Sequence, residues 1–249
     1  MIICAKPWPA LSIKQNVAIF SNLGYKQIRY DPNTTIFRKA RTGTPLESFK
    51  KDFEAVQKVG MSIEEFHSYA VAFDEFKKRV DVYIEMMTLA DVKFYVQHMS
   101  EEMTQHKDEL NEIIKRFKDA GIYFCVENEF VFEGFSAYNV NFEVMDSILK
   151  TFPDAKVCLD IGHAFMVGIE PYEYYKRYKD KIKVIHLHDF KDGKDHLVPF
   201  TGKLLQSPIV PELKNFKGPI VLELFLPVMD LLKDKYGEAM NMLSKHLLK

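Results

Sequence analysis

Cysteine is scarce in this 249-residue chain, and its placement argues against a disulfide framework. The three cysteines are Cys4, Cys125 and Cys158. Their number is odd, no CxxC pair occurs, and each lies in an apolar stretch. Buried, reduced thiols are typical of proteins from a reducing compartment. The pattern therefore predicts a cytoplasmic protein.

Long hydrophobic runs are also missing. No apolar segment approaches the roughly 20 residues that a helix needs to cross a bilayer. The N-terminal stretch MIICAKPWPALSIKQ has no basic region followed by a long apolar one, which argues against a signal peptide. We therefore expect a soluble protein with no membrane partner.

The chain has no excess of charge of either sign. Lys and Arg total 34, Asp and Glu total 35, and the formal net charge is -1. No basic run stands out in the sequence. Affinity for nucleic acid depends on clustered Lys and Arg that neutralise phosphates, so we do not expect a nucleic-acid partner.

What the sequence does contain is a regular alternation of β-rich runs and amphipathic stretches, at a spacing of about thirty residues. The predicted strands are IICA, QIRY, MSIEEFHSYA, KFYVQHM, IYFCVENE, KVCLDIGHA, IKVIHLHD and PIVLELF. The helical pattern FDEFKKRVDVYIEMMTLA follows the third strand, and two other helical patterns end at Gly60 and Gly121. A long loop follows the second strand. No linker interrupts this series, so we expect one domain over residues 1–249.

Strands this apolar are covered on both faces, which predicts parallel pairing in an α/β fold. A closed (β/α)8 barrel and an open doubly wound sheet both satisfy that requirement. A doubly wound nucleotide-binding sheet usually carries a glycine-rich turn after its first strand, and CAKPWPALS is no such turn. Eight units in about 250 residues favour the (β/α)8 TIM barrel.

Polar residues end the last six predicted strands, where such barrels hold their chemistry. They are His67, His98, Glu127, Asp160 with His163, His186 with His188, and Glu223. Taken singly, each is explained by a structural role such as helix capping. Together they place imidazoles and carboxylates around one barrel mouth, where a divalent cation would compensate their burial. A mixed His, Asp and Glu set suits Mn²⁺, Zn²⁺, Fe²⁺, Mg²⁺ or Co²⁺.

The segments VENE, CLDIGHAF, VIHLHDF with DHLVPFTG, and IVLEL resemble the xylose isomerase-like TIM barrel superfamily. This group contains sugar and sugar-phosphate isomerases and epimerases, and the related abasic-site endonucleases. The resemblance covers about two-thirds of the chain, and the first two strands add little to it. It implies a metal-dependent isomerase or epimerase that acts on a small sugar.

The resemblance also implies roles for individual residues. One divalent metal would be held by Glu127, Asp160, His186 and Glu223, and the two glutamates would transfer the proton in either order. His163, His188 and His67 would contact substrate. Apart from the resemblance, the position of Trp8 just after the first strand suits either covering the apolar face of a sugar or a packing role. His98 and His196 are retained as additional metal candidates. Within VENE the motif selects Glu127, although Glu129 lies on the same face of the strand.

Four alternatives stay open at this point. The abasic-endonuclease type would use His67, His98, His163 and His196, but Lys194 stands where that type has an Asp. A barrel without catalysis is disfavoured because the four-ligand set is complete. Lys191, Gly193, Lys194, Gly202 and Lys203 leave a phosphorylated substrate open, while the segment LFLPVMD after the last strand has no glycine. The 20 Phe and 12 Tyr residues leave a homo-oligomer open.

Overall fold

A closed barrel of eight parallel strands forms the centre of the protein. The computed structural model describes residues 1–32, 44–69, 71–130, 138–224 and 231–248. The barrel strands are β1 (Ile2–Ala5), β2 (Gln27–Tyr30), β3 (Ser62–Ser68), β4 (Phe94–Gln97), β5 (Tyr123–Glu127), β6 (Lys156–Asp160), β7 (Ile182–Leu187) and β10 (Pro219–Leu222). Each pairs in parallel with its neighbours, and β1 closes the barrel against β10. This confirms the predicted (β/α)8 barrel.

Helices surround the barrel in the described part of the chain. They are α1 (Ile13–Asn22), α2 (Pro45–Lys58), α3 (Phe73–Lys77), α4 (Val80–Leu89), α5 (Glu101–Gln105), α6 (Lys107–Asp119), α7 (Phe142–Thr151), α8 (Ile161–Met166), α9 (Pro171–Tyr178), α10 (Val210–Asn215) and α11 (Leu231–His246). A 3-10 turn spans Lys203–Gln206. No helix in the described ranges is long and apolar enough to cross a membrane.

Local sequence explains where several of these helices begin and end. Ser12 and Thr44 cap α1 and α2 through capping boxes, in which side chain and backbone satisfy each other's unpaired groups. Gly60 and Gly121 follow α2 and α6 with φ of 71° and 74°. That left-handed conformation favours glycine, and both glycines were predicted to end their helices.

The structure corrects three predicted elements. The pattern FDEFKKRVDVYIEMMTLA was expected to be one helix but forms α3 and α4. The predicted sixth strand KVCLDIGHA ends at Asp160, because the Asp160 side chain accepts the backbone N–H of His163 and caps α8. The predicted loop after β7 contains a hairpin of β8 (Asp189–Lys191) and β9 (Lys194–Leu197).

The predicted long loop after β2 and the segment LFLPVMD fall mainly on residues 33–43 and 225–230, outside the described ranges.

Two apolar regions support the site. A large core lies between the barrel wall and the helices. Inside the barrel, a separate layer fills the space among the strands and consists of Cys4, Val96, Cys125, Cys158, Val184 and Val221. All three thiols are buried and free. Since the strands are parallel, their carboxyl ends open at the same end of the barrel, where the predicted polar residues lie.

Candidate metal centre

Four buried side chains from four neighbouring strand ends carry the predicted metal site. Glu127, Asp160, His186 and Glu223 are all at most 5% exposed. Glu127 and Asp160 are the last residues of β5 and β6, His186 lies in β7, and Glu223 follows β10 directly. The register pairs Asp160 with His186 and Val221 with His186 across adjacent strands. The barrel therefore brings the predicted ligands to one place.

The ring nitrogen Nδ1 of His186 lies at the centre of this set. It is 3.2 Å from Glu127 Oε2, 3.3 Å from Glu223 Oε1 and 3.9 Å from Asp160 Oδ2. It is fully buried and makes no hydrogen bond to any of these oxygens in the described structure. Ligands bound to one zinc ion at about 2.0–2.2 Å are themselves separated by roughly 3–3.5 Å. The distances from His186 Nδ1 to Glu127 and Glu223 fall in this range, and the distance to Asp160 exceeds it. The mixed imidazole and carboxylate donors are of the kind that divalent cations bind.

Glu127 is also surrounded by histidines on its other sides. His67 Nε2 lies 3.1 Å and His98 Nε2 3.2 Å from its Oε2, and His163 Nδ1 lies 3.3 Å from its Oε1. Burial raises the pKa of Glu127, but the nearby imidazoles, His186 foremost, outweigh burial and hold that pKa well below its usual range. Glu127 is therefore ionised, as a metal ligand must be.

His67 and His98 form a second group of donor atoms with Glu127. Their Nε2 atoms are 3.2 Å apart, and one donor atom from each of the three residues lies within 4.8 Å of the others. His67 was expected to contact substrate, yet it is 1% exposed. Its ring nitrogen faces Glu127 and His98, which is a position for holding an ion as much as for binding sugar.

The second glutamate of VENE lies further out. Glu129 Oε1 is 2.8 Å from His98 Nδ1, on the ring edge that faces away from Glu127. Between the glutamates, the Asn128 amide donates to the backbone oxygen of Asp160 at 2.9 Å and accepts its N–H at 2.8 Å. Glu127 lies next to His186 Nδ1, whereas Glu129 contacts His98. Asn128 connects β5 to β6.

His163, His188 and His196 gather around Asp160. Asp160 caps α8 and lies 3.0 Å from His188 Nε2, and the rings of His188 and His196 stack with centroids 4.0 Å apart. The backbone N–H of His196 donates to His188 Nδ1 at 2.9 Å. Both ring nitrogens of His188 therefore have a partner, since Nε2 contacts Asp160. The three histidines can nevertheless converge on one ion.

The loop after β7 is held by Asp189, which does not face the metal ligands. Its carboxylate accepts the backbone N–H groups of Phe190, Gly202 and Leu204 at 2.7–3.0 Å. Asp195 lies 2.7 Å from His196 Nδ1, and Lys194 is exposed on the hairpin. Burial and the charge of His188 lower the pKa of His196 to about 4, so His196 is neutral at pH 7.

Lys6 and Arg29 are charged residues at this site that the sequence reasoning missed. Lys6 Nζ lies 2.8 Å from Glu223 Oε2, and Arg29 forms an ion pair with Glu223 Oε1. Arg29 is 1% exposed, and its guanidinium donates to the Tyr69 hydroxyl at 3.1 Å. The first two strands therefore contribute to the site after all. A buried arginine within the apolar run QIRY was the available signal.

A cavity of about 260 Å³ opens beside Lys6. Its lining includes Lys6, Trp8, Tyr69, His196 and Tyr236. Trp8 was expected to cover a sugar, and its ring borders this space directly next to Lys6. A small polar molecule placed here would lie against Glu223, since both Lys6 and His196 approach that carboxylate.

Glu65 is a third missed residue, and it contacts the opposite edge of His186. Both of its carboxylate oxygens lie 3.1 Å from His186 Nε2, and it is 0% exposed. Glu65 and His67 are two residues apart in β3, so they share a face of the strand. That alternation was the signal for a second inward-facing polar residue.

Comparison with solved structures shows the same fold at low sequence identity. A xylose isomerase domain protein from Alicyclobacillus acidocaldarius is 14% identical, with a TM-score of 0.76 over 98% of this chain and 97% of that one. D-psicose 3-epimerase from Clostridium cellulolyticum, solved with D-tagatose, is 13% identical, with a TM-score of 0.73 over 98% of each chain. A probable 3-DHS dehydratase of petrobactin synthesis from Bacillus anthracis is 12% identical, with a TM-score of 0.74 over 97% and 98%.

Comparison at the level of sequence identifies the family. No curated protein sequence is similar enough to count as a match. The profile of the xylose isomerase-like TIM barrel family, in contrast, matches residues 46–246. This match spans most of the chain and agrees with the closed barrel described above. The chain therefore belongs to the xylose isomerase-like TIM barrel family.

Proposed function

We propose that this protein is a metal-dependent isomerase or epimerase of a small sugar, and that it moves a proton at the carbon next to a carbonyl. The observation that carries the proposal is His186 Nδ1, which faces Glu127, Asp160 and Glu223 at 3.2–3.9 Å without a hydrogen bond. The solved epimerase with the same fold supports the reaction class.

Glu127, Asp160, His186 and Glu223 would hold the divalent cation. When bound, such a cation polarises the substrate carbonyl and stabilises the negative charge that develops during proton removal. Glu127 and Glu223 supply the two carboxylates, and a carboxylate within hydrogen-bonding reach of the substrate can take a proton and return it. Lys6 can donate a hydrogen bond to a substrate oxygen, and Trp8 can cover the apolar face of a sugar. His163 and His188 are the further substrate contacts we propose.

The two glutamates, Glu127 and Glu223, have neighbours of different charge. Lys6 and Arg29 both neutralise Glu223, whereas Glu127 is surrounded by imidazoles. We propose that both glutamates take part in the proton transfer, in either order.

A solvent-isotope screen tests the proposal on many sugars at once. Purified protein with one equivalent of Mn²⁺, Zn²⁺ or Co²⁺ is incubated with a panel of ketoses and aldoses in D2O. We expect proton NMR to show deuterium at the carbon next to the carbonyl of one substrate class. Glu127→Gln and Glu223→Gln should each reduce this exchange by at least about 1000-fold, since each removes a carboxylate that both holds the metal and transfers the proton.

Glu173→Gln is the matched control, because Glu173 is an exposed residue of α9 that pairs with Lys176. It should exchange deuterium at the wild-type rate. Wild-type turnover in both Glu127→Gln and Glu223→Gln would rule out the proposed mechanism.

A second candidate function is supported by the additional histidine groups. His67 with His98 and Glu127, and His163 with His188 and His196, could each hold a further ion. Several metals in one barrel mouth are suited to phosphodiester cleavage, as in the abasic-site endonucleases. Lys194 and the engaged nitrogens of His188 count against that function. Metal analysis separates the two, because one ion per chain supports the isomerase and three support the phosphodiesterase.

A further inference from the structure

The Nε2 edge of His186 contacts a buried carboxylate that has no role in the proposed reaction. Glu65 is completely buried, and its two oxygens are equidistant, at 3.1 Å, from His186 Nε2. The nitrogen therefore points between the oxygens rather than at one of them. Such a contact requires a proton on Nε2, because an ionised carboxylate can only accept a hydrogen bond.

The imidazole separates Glu65 from the proposed metal ligands. Nε2 faces Glu65, whereas Nδ1 faces Glu127, Asp160 and Glu223. A neutral imidazole carries its proton on one nitrogen and a lone pair on the other. If Nε2 holds the proton, the lone pair of Nδ1 is directed at the space between the three carboxylates.

Glu65 lies at a position where a carboxylate is costly. The interior layer of Cys4, Val96, Cys125, Cys158, Val184 and Val221 fills the barrel with apolar groups. Glu65 of β3 pairs in register with Phe94 of β4, which packs against this layer. Burying a carboxylate in such surroundings costs several kcal/mol unless a partner compensates it. His186 is the hydrogen-bond partner the described structure provides.

We propose that Glu65 is a positioning residue for His186. It keeps the proton of His186 on Nε2 and holds the imidazole ring in the orientation that presents Nδ1 to the metal. Partners of this kind orient metal-binding histidines and raise their basicity. The inference rests on metal binding at the site of the proposed function, but not on which substrate is converted.

The test measures Zn²⁺ affinity by competition with a chromophoric chelator in the full-length protein. Glu65→Gln keeps a neutral acceptor, and Glu65→Leu removes it. We expect the Kd for Zn²⁺ to rise about tenfold in the first variant and up to about 100-fold in the second. Glu64→Gln is the matched control, because Glu64 is the adjacent residue, is only partly buried and pairs with Ser62 at 2.7 Å. Its Kd should equal that of the wild type.

A spectroscopic readout separates positioning from a role in folding alone. Long-range ¹H–¹⁵N correlation spectra report which imidazole nitrogen carries the proton, and His186→Gln assigns the signal among the eight histidines. Zinc-loaded wild type should show His186 protonated at Nε2, and Glu65→Leu should lose this signature. If Glu65→Leu fails to fold, the Kd and spectrum of Glu65→Gln decide.

Three results would overturn the inference: a wild-type Kd in both Glu65 variants, a His186 signal unchanged in Glu65→Leu, or no Zn²⁺ binding by the wild type. Failure of the proposed sugar reaction would give a different set of results. In that case the panel of sugars shows no deuterium exchange, while the ratio of Kd values between wild type and Glu65 variants persists.

Discussion

The negative charge of Glu223 is used twice, in ion pairs with two cations and in the proposed metal site. Its carboxylate pairs with Arg29 and Lys6 and also lies 3.3 Å from the His186 nitrogen that faces the metal ligands. Arg29 is fully enclosed, so its interaction with Glu223 is screened little by solvent. A bound cation would share Glu223 with the arginine, and the two positive charges would partly replace each other.

Arg29→Met tests that balance. In the metal-free protein we expect a loss toward the lower end of the about 3–5 kcal/mol seen when one partner of a buried ion pair is removed, since Lys6 still pairs with Glu223. With excess Zn²⁺ the loss should shrink, because the metal supplies the missing positive charge. Guanidinium unfolding with chelator and with Zn²⁺ measures both values.

The matched control for this variant is Lys77→Met, which removes the exposed pair between Lys77 and Glu109. It should change stability little in either condition. An equal loss for Arg29→Met with and without metal would mean that the arginine and the cation do not share Glu223.

At the scale of elements, the short helix α8 packs against His188, which follows β7, and each restricts the position of the other. Gly162 lies in α8 against the His188 ring, and a Cβ atom there would overlap that ring. His188 in turn contacts Asp160, which caps the same helix. The glycine of CLDIGHAF is thus required by close approach between α8 and His188, not by its backbone conformation.

Gly162→Ala should displace the His188 ring and weaken its contact with Asp160. We expect a loss of about 1–3 kcal/mol in stability, typical of overpacking, together with at least tenfold slower turnover. Thermal unfolding and the deuterium-exchange assay measure the two effects.

Gly237→Ala in α11 is the control, since its nearest neighbour is Leu23 at 3.7 Å. Adding a methyl group to a helix interior with room for it should stabilise by about 0.5–1 kcal/mol. If Gly162→Ala behaves like this control, α8 is not packed against His188 as described.

At the scale of the whole molecule, the barrel mouth binds protons in the absence of metal. Burial lowers the pKa of His186, but the charges of Glu127 and Glu65 outweigh burial and raise that pKa to about 9. Burial likewise opposes the charged forms of His98 and His163, but nearby carboxylates, Glu127 and Asp160 foremost, raise the pKa of both. Protons and the metal therefore compete for the same carboxylates and imidazoles.

The stability of the metal-free protein should accordingly fall as pH rises. A histidine whose pKa is raised in the folded state stabilises fully below its unfolded value of about 6.5, and this stabilisation is lost as pH rises through the folded value. We expect the free energy of unfolding with chelator to decrease from pH 6.5 to 9. Zn²⁺ affinity should increase over the same range. A chelated protein whose stability rises over this range would contradict the expectation.

Much of this molecule could be predicted from local sequence. Alternation of apolar runs and amphipathic stretches determined the barrel, because each strand must be covered on both faces and each helix on one. Parallel strands end at one side of the barrel, so the polar residues at the ends of β5, β6, β7 and β10 were expected to meet there. Glu127, Asp160 and Glu223 lie 3.2–3.9 Å from His186 Nδ1, while the choice of Glu127 over Glu129 as a ligand stays a prediction.

Contacts across the barrel were decided only by the tertiary structure. Glu65 and His186 are 121 residues apart in sequence, and their meeting depends on the tilt and stagger of the strands. Arg29 reaches Glu223 because β1, next to β2, closes the barrel against β10. Periodicity in a sequence assigns a side chain to a face, whereas its partner on that face is set by how the barrel closes. The sequence by itself therefore determined the fold and the proposed ligands, and the closed barrel decided which charges surround them.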